Sequence, residues 1–416
     1  MLTTFCSYGD GRLQAIAPTA LVLTHAGRYE RPRTVTAAQS PAAEPSRKTV
    51  RLFLCGDVMT GRGIDQVLPH PCDPILHESY AESAIDYVRL AEAANGPIPR
   101  GVDPSYLWGA ALSEFERMRP DARIINLEAS ITHSENYEPK GINYRMSPEN
   151  AAFLKAAAID CCVLGNNHIL DWGAGGLRDT LAVLKQLQIK TAGAGQTLSE
   201  AAAPAVLNVA GRGRVLLFSF VDATSGVTRS WGATNERPGI NLLGEISERS
   251  ARGVADLVAQ ARRPGDLIVV SVHWGPNWGC EIPREQRRFA HALIDQADVS
   301  LVHGHSSHHP KAIEVYRDRL VLYGCGDFLN DYEGIKGYEK YRGDLVLMNF
   351  ADVEPAGMLA ALEVVPLQIR NFHLVRPFNE DICWMQQTLD RESRKFGVTV
   401  ALKADGRLAV SWQRAT

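Results

Sequence analysis

Short apolar runs rich in β-branched residues recur along this chain, and each stops at a small polar cluster. Arg51-Leu52-Phe53-Leu54-Cys55 ends in Gly56-Asp57, Ala122 to Leu127 carries Asn126-Leu127-Glu128, and Cys161 to Leu164 ends in Gly165-Asn166-Asn167-His168. Leu267 to Val272 runs into His273-Trp274-Gly275, and Val299 to His303 into Gly304-His305-Ser306-Ser307-His308; Val215 to Val221 is a further run of the same kind. Apolar runs of this length bounded by Gly, Asn and Asp read as strands. Between them lie amphipathic stretches. Ser147-Pro148-Glu149 offers an N-cap and a first-turn proline for Asn150 to Ile159, and Gly176 to Leu187 and Arg284 to Asp295 repeat the helical pattern. Strands alternating with helices predict stacked α/β layers. Ligands of such sheets collect beyond the carboxyl ends of the strands, so the polar clusters are expected to converge on one site.

After Pro310 two close strands, Ala312 to Tyr316 and Arg319 to Tyr323, predict a tight hairpin at Arg317-Asp318. Leu359 through Ile369, a helix near Asp381 to Lys395, and Val398 to Trp412 turning at Asp405-Gly406 read as added strand and helix cover. Three regions follow: a flexible leader over 1–49, a main α/β domain over 50–350, and an extension over 351–416 packed on it. The leader rests on residues 28–48, rich in Pro, Ala, Ser, Thr and Arg, which bury too little apolar surface to order themselves.

With 45% hydrophobic and 22% charged residues over 416 positions, the chain has material for a large core. A net charge of −3 and no basic stripe exclude a nucleic-acid binder. No apolar run is long enough to span a membrane, and residues 13–24 make a poor signal peptide. The eight cysteines form no CxxC pair, which points to buried thiols in a reducing compartment, so a cytoplasmic location is expected with secretion left open. Cys280, near the His273 cluster, is the candidate reactive thiol.

The clusters supply Asp, Glu, Asn and His and require no sulfur, an inventory that suits a hard or borderline divalent metal. Gly56-Asp57-Val58-Met59, Asn126-Leu127-Glu128, Gly165-Asn166-Asn167-His168-Ile169-Leu170-Asp171, His273-Trp274-Gly275 and the histidine-rich segment from Gly304 resemble, in order over residues 50–335, the signature blocks of the capsule-synthesis CapA, or poly-γ-glutamate-synthesis, family. That family belongs to the calcineurin-like metallophosphoesterase superfold. The resemblance implies a four-layer α/β/β/α sandwich with a two-metal site at its edge. Glu128 would bridge the ions, Asn167, His273 and His305 would complete one, and Asp57, Glu128 and His308 would serve the other; Mn, Fe or Zn suits such donors. It also implies that His168 supplies a proton to a leaving oxygen, and Asp171 could hold the tautomer of its ring. Asn126, Lys140 and Arg145 are candidate substrate contacts, the two cations flanking an apparent strand at Gly141 to Met146.

The chain departs from the superfamily at Met59, which stands where an Asp-x-His histidine is usual, and at Asn126-Leu127-Glu128, which replaces a Gly-Asp block. One metal position is thereby short of ligands, so two ions, one or none are all open. The leading expectation is a metal-assisted hydrolase or transferase acting on a phosphoester or an anionic poly-γ-glutamate-like polymer. The second is a metal-independent peptide epimerase resembling the lasso-peptide enzymes, with Asp57 and a histidine of the 305–308 segment as acid and base and Lys140 or Arg145 on a terminal carboxylate. The third is an inactive binding module. Partners are then a small anionic substrate, a peptide or a polymer.

Overall fold

The strands are apolar on both faces because both faces are covered. In the computed structural model, which describes residues 48–414, the Val50–Val58 strand sends Leu52 and Leu54 into one apolar cluster and Phe53 and Cys55 into another. Ile124 and Ile125, and Cys161 and Cys162, divide the same way. A strand buried on two sides reads as a continuous hydrophobic run, which is why alternation is faint in the sequence.

The protein is a mixed α/β structure on two main sheets. One, of ten strands, runs Val398–Leu402, Leu408–Trp412, Leu359–Arg370, Leu345–Val353, Val50–Val58, Ala122–Leu127, Cys161–Val163 and Lys190–Ala192, with Asp327–Leu329 beside the Val50 strand and His373–Val375 beside the Leu359 strand. The other, of seven, runs Leu242–Leu243, Gly213–Asp222, Leu267–His273, Leu301–His305, Arg319–Leu322 and Ile313–Tyr316, with Ala205–Val209 against Gly213–Asp222. The strands bearing polar clusters pair in parallel within each sheet, so their carboxyl ends lie at one edge.

Three apolar clusters hold the layers. One joins Leu52, Leu54, Ile124 and Val163 of the first sheet to Val215, Leu217, Leu267 and Leu301 of the second. A second packs Phe53, Ile125 and Cys162 against Phe115, Leu177 and Leu184 of the helices Ala110–Met118 and Gly173–Gln186. A third packs Leu216, Phe218, Ile268 and Val270 against Val254 and Val258 of Glu248–Ala261 and Phe289 and Leu293 of Arg284–Ala297. The i, i+4 spacing of Val254 with Val258 and Phe289 with Leu293 gives each helix its buried stripe.

The Ile313–Tyr316 and Arg319–Leu322 hairpin forms, and Arg317 and Asp318 both take the positive φ that a two-residue turn of this hand demands. The helix expected from Asn150 begins as a 3-10 turn at Pro148–Ala151 and is short, Ala152–Ala156. Ser147 does not cap it: its hydroxyl donates to Glu149 instead. The strand expected over Gly141 to Met146 shrinks to Arg145–Met146, paired with Ser130–Ile131. The expected leader, residues 1–49, lies outside the described residues except for its last two. Residues 359–412 extend the first sheet, and Val398, Val400 and Leu408 join its inner cluster.

Candidate metal centre

At the tip of the first sheet, Asp57 lies in register with Asn126 on one side and Asp327 on the other. Gly56 makes this possible. A Cβ there would overlap the carbonyl oxygen of Gly326, and the Asp57 amide donates to that same oxygen at 3.0 Å. Asn126 Nδ2 donates to Asp57 Oδ1 at 2.8 Å and reaches Glu128 Oε2 at 3.3 Å, while Ser306 donates its backbone N–H to Asp57 Oδ2 at 3.2 Å. Ser306 has φ 96°, a conformation rare for a residue with a side chain, of the kind that collects at functional sites.

The second sheet contributes imidazoles. His273 is in register with His305, and Ser271 with His303. Their hydrogen bonds fix the tautomers if the rings are neutral. His303 Nε2 lies 2.7 Å from the carbonyl oxygen of Cys55, which only accepts, so Nε2 carries the proton and His303 Nδ1 accepts from Ser271 Oγ at 3.0 Å. With its own proton committed, Ser271 Oγ accepts from His305 Nε2 at 2.8 Å. His305 Nδ1 is left as a lone pair, 2.7 Å from His273 Nδ1 and 3.9 Å from Asp57 Oδ1. Burial holds both rings well below the usual histidine range, so they are neutral donors at neutral pH.

Two groups of buried donors result, each compact enough for one ion: Asp57 with His273 and His305, and Asp57 with His308 and Asp327. Asp57 is common to both. His308 Nδ1 meets Asp327 Oδ1 at 2.8 Å and its Nε2 meets Asn277 Nδ2 at 3.0 Å. Burial opposes charge on His308, but the Asp327 carboxylate outweighs it and raises the ring's pKa. Glu128 stands beside these groups, with Oε1 3.8 Å from Nε2 of both His168 and His273, and Asn167 Oδ1 lies 3.0 Å from His273 Nε2.

The donor set fits a divalent cation. Asp57, Glu128 and Asp327 are buried carboxylates, and among the described residues no Lys or Arg forms an ion pair with any of them. Desolvation, then Asp327, pushes Asp57 up to about 7; desolvation, then Asp57, pushes Glu128 well above the carboxylate range. Asp57 and Glu128 are therefore fully ionised at neutral pH only with a further positive charge beside them.

His168 forms a separate dyad. Its Nδ1 meets Asp171 Oδ2 at 2.7 Å, and Tyr144 donates its backbone N–H to the same oxygen at 2.7 Å. Desolvation lowers the ring to about 4, Asp171 opposing and Lys140 assisting, so His168 is neutral with Nε2 turned to the Glu128 side. Lys140 Nζ donates to Asp171 Oδ1 at 2.7 Å and to the Asn167 carbonyl. Arg145 is elsewhere: its guanidinium donates to the carbonyls of Ser134 and Asp73 and lies 4.1 Å from the centre of the Trp172 ring. Met59 packs with Ala129 and Tyr144, and its sulfur accepts from Tyr332. Cys280 is half-buried and burial raises its thiol, which removes the basis for a reactive thiolate; the described cysteines are all free.

On sequence alone Asp327, just past the Cys325-Gly326 run, reads equally as a site-lining residue and as a loop cap, yet a sharper signal was present: Cys325-Gly326-Asp327 repeats Cys55-Gly56-Asp57, and the two aspartates pair in register. Ser271 and Asn277 carried no motif, whereas His303 belongs to the cluster of four histidines, with His305, His308 and His309, that marks the segment in the sequence. Asn166 serves as a brace, donating to Asn126 Oδ1 and the Leu127 carbonyl while accepting from the amides of His168 and Ile169.

The family model for the bacterial capsule synthesis protein PGA_cap matches residues 51–332. A probable polyglutamine synthesis accessory protein of Mycobacterium tuberculosis (strain CDC 1551 / Oshkosh) is 44% identical over 87% of this chain and 96% of its own length. The PGA biosynthesis protein CapA of Bacillus subtilis (strain 168) is 24% identical over 85% of this chain and 80% of its own, and the capsule biosynthesis protein CapA of Bacillus anthracis is 28% identical over 58% and 56%. The chain belongs to the PGA_cap family of bacterial capsule synthesis proteins. Among its described residues no helix is long and apolar enough to cross a membrane.

Proposed function

We propose that this protein is a metal-assisted enzyme of the CapA type, hydrolysing or transferring at a phosphoester or at an anionic poly-γ-glutamate-like polymer during polymer synthesis. The observation that carries the reading is the pair of buried donor groups that share Asp57. The three apolar clusters, two flanked by helices and one lying between the sheets, support a four-layer α/β/β/α sandwich of the metallophosphatase kind. Names of the relatives, which speak of polyglutamine synthesis, PGA biosynthesis and capsule biosynthesis, favour the polymer as substrate.

Asp57, His273 and His305 would hold one divalent ion of Mn, Fe or Zn, and Asp57, His308 and Asp327 a second. When bound, such an ion polarises the scissile group and lowers the pKa of water to near neutral. The protein's own groups do the rest. His168, neutral and with Nε2 free, accepts a proton from the attacking water and returns it to the leaving atom. Asp171 holds the ring through Nδ1, and Lys140 balances the charge of Asp171 from its other oxygen. Asn126 keeps Asp57 and Glu128 in place through one amide.

Metal analysis of the purified protein, followed by assays on a phosphodiester and a γ-glutamyl oligomer with and without chelator, tests the proposal. Stoichiometric metal with chelator-sensitive turnover is expected; metal-free protein with full turnover overturns it. The epimerase reading draws on the Asp57 carboxyl near 7, suited to acid and base work without a metal. Against it, Lys140 is bound to Asp171 and Arg145 is turned away, so neither is placed for a substrate carboxylate. Exchange of a peptide Cα proton for deuterium by metal-free protein would select it.

A further inference from the structure

A cavity of about 490 Å³ opens beside the candidate metal centre, within the size range of small-ligand sites. It shares Trp278, Asn330 and Tyr332 with the surroundings of that centre: the Trp278 and Tyr332 rings lie 5.4 and 5.3 Å from the His308 ring, and Asn330 Nδ2 donates to Asp327 Oδ2 at 2.7 Å. Its walls also carry three large apolar side chains that folding leaves in water, Ile335, Tyr338 and Phe378, at 41, 49 and 69% exposure. The Tyr338 ring stacks face to face on Trp278 at 4.2 Å, so half-exposed Tyr338 ends an aromatic stack that leads through Trp278 toward His308.

The charges of the cavity are unevenly used. Glu333 accepts the amides of Asn371 and Phe372, Asp344 is held by Arg342 through two 2.8 Å bonds, and Glu339 accepts the amide of Gly337. Arg342 is shared between Asp344 and Asp381. Arg370, exposed at the end of the Leu359–Arg370 strand, forms no ion pair among the described residues, and Lys336 and Lys340 stand exposed on the loop that makes one wall. A ligand that lays methylene groups on aromatic rings while offering carboxylates to an unclaimed guanidinium matches this surface.

We propose that the cavity is a subsite for the anionic chain of a γ-linked glutamyl oligomer, whose methylenes lie on the exposed surfaces of Tyr338 and Phe378 while an α-carboxylate meets Arg370. The inference rests on the reading of a polyglutamate substrate and places the part of the chain flanking the bond that reacts. Tyr338, Phe378 and Arg370 are specificity residues in this assignment and take no part in bond making.

The test uses the full chain and a synthetic γ-linked glutamate pentamer, with binding followed by calorimetry and metal content measured in parallel. Arg370→Gln, Tyr338→Ala and Phe378→Ala should each weaken binding at least fivefold, the first losing most of the salt dependence, with metal content unchanged. All three positions are exposed, so the variants should fold, and thermal unfolding checks that they do. Affinity within twofold of the parent in all three overturns the assignment. So does a parent that retains metal yet fails to bind the pentamer, or one that prefers an uncharged aromatic peptide of equal length. A parent without metal that binds the pentamer in an Arg370-dependent manner keeps the subsite and refutes the metal reading.

Discussion

His273 and His305 face one another through their Nδ1 atoms, 2.7 Å apart on adjacent parallel strands. One proton is all that such a contact can accommodate, and the Ser271 and His303 hydrogen bonds place none on His305 Nδ1 when the rings are neutral. An ion accepted there replaces a single shared proton.

His273→Ala should therefore empty the group formed with Asp57 and His305. Elemental analysis of the purified variant is expected to show loss of one equivalent of metal, or of all metal if only that position is filled. Metal content equal to the parent's would refute the assignment.

Ser271→Ala removes the group that fixes both His303 and His305. Metal affinity is expected to fall about 10- to 100-fold, the usual cost of losing an outer hydrogen bond to a ligating imidazole. Competition with a chelating dye measures it, and an affinity within twofold of the parent's would show that packing alone orients the ring.

Stability of the metal-free protein should depend steeply on pH. His168 and His303 are held at about 4 by burial, against 6.5 when exposed. Between pH 6.5 and 4 the unfolded chain binds protons on these residues that the native state refuses, so stability falls as pH falls through that window and levels out below it. Asp57, raised to about 7, acts in the opposite sense: the native state keeps a proton that the unfolded chain loses above about 4, so its contribution declines as pH rises from 4 to 7. Glu128, held well above the carboxylate range, acts with Asp57, and His273 and His305, held well below the histidine range, act with His168 and His303. Four histidines thus oppose two carboxylates, and the melting temperature of chelated protein should drop from pH 6.5 to 4. A flat profile there contradicts the burial of neutral imidazoles.

Gly56→Ala should cost about 3 kcal/mol or more, because the added methyl collides with the Gly326 carbonyl and neither backbone can retreat from its sheet. Denaturant unfolding will show it, and metal affinity should fall with it, since Asp57 and Asp327 both ride on that contact. A loss under 1 kcal/mol would mean the two strands yield more readily than their pairing implies.

Much of the fold was legible because strands covered on both faces write themselves as unbroken apolar runs, and because parallel strands deliver their polar ends to one edge. Hence Asp57, Glu128, Asn167, His168, His273, His305 and His308 could be gathered from distant positions. Arg145 misled because charge in a sequence gives no direction. It stands on a two-residue strand whose guanidinium finds carbonyls and the Trp172 ring instead of the site. Ser271 was invisible for another reason. Within an apolar run it looks like a core position, and only the register between the Leu267–His273 and Leu301–His305 strands joins it to His303 and His305 as a relay.

The donors around Asp57 belong to both sheets, Asp57 and Asp327 to one and His273 and His305 to the other. Any ion seated among them is a clasp between two slabs otherwise joined by apolar contact and by hydrogen bonds such as that from His303 to the Cys55 carbonyl. Loading should slow the parting of those slabs, so a cell short of the ion would hold a less durable protein.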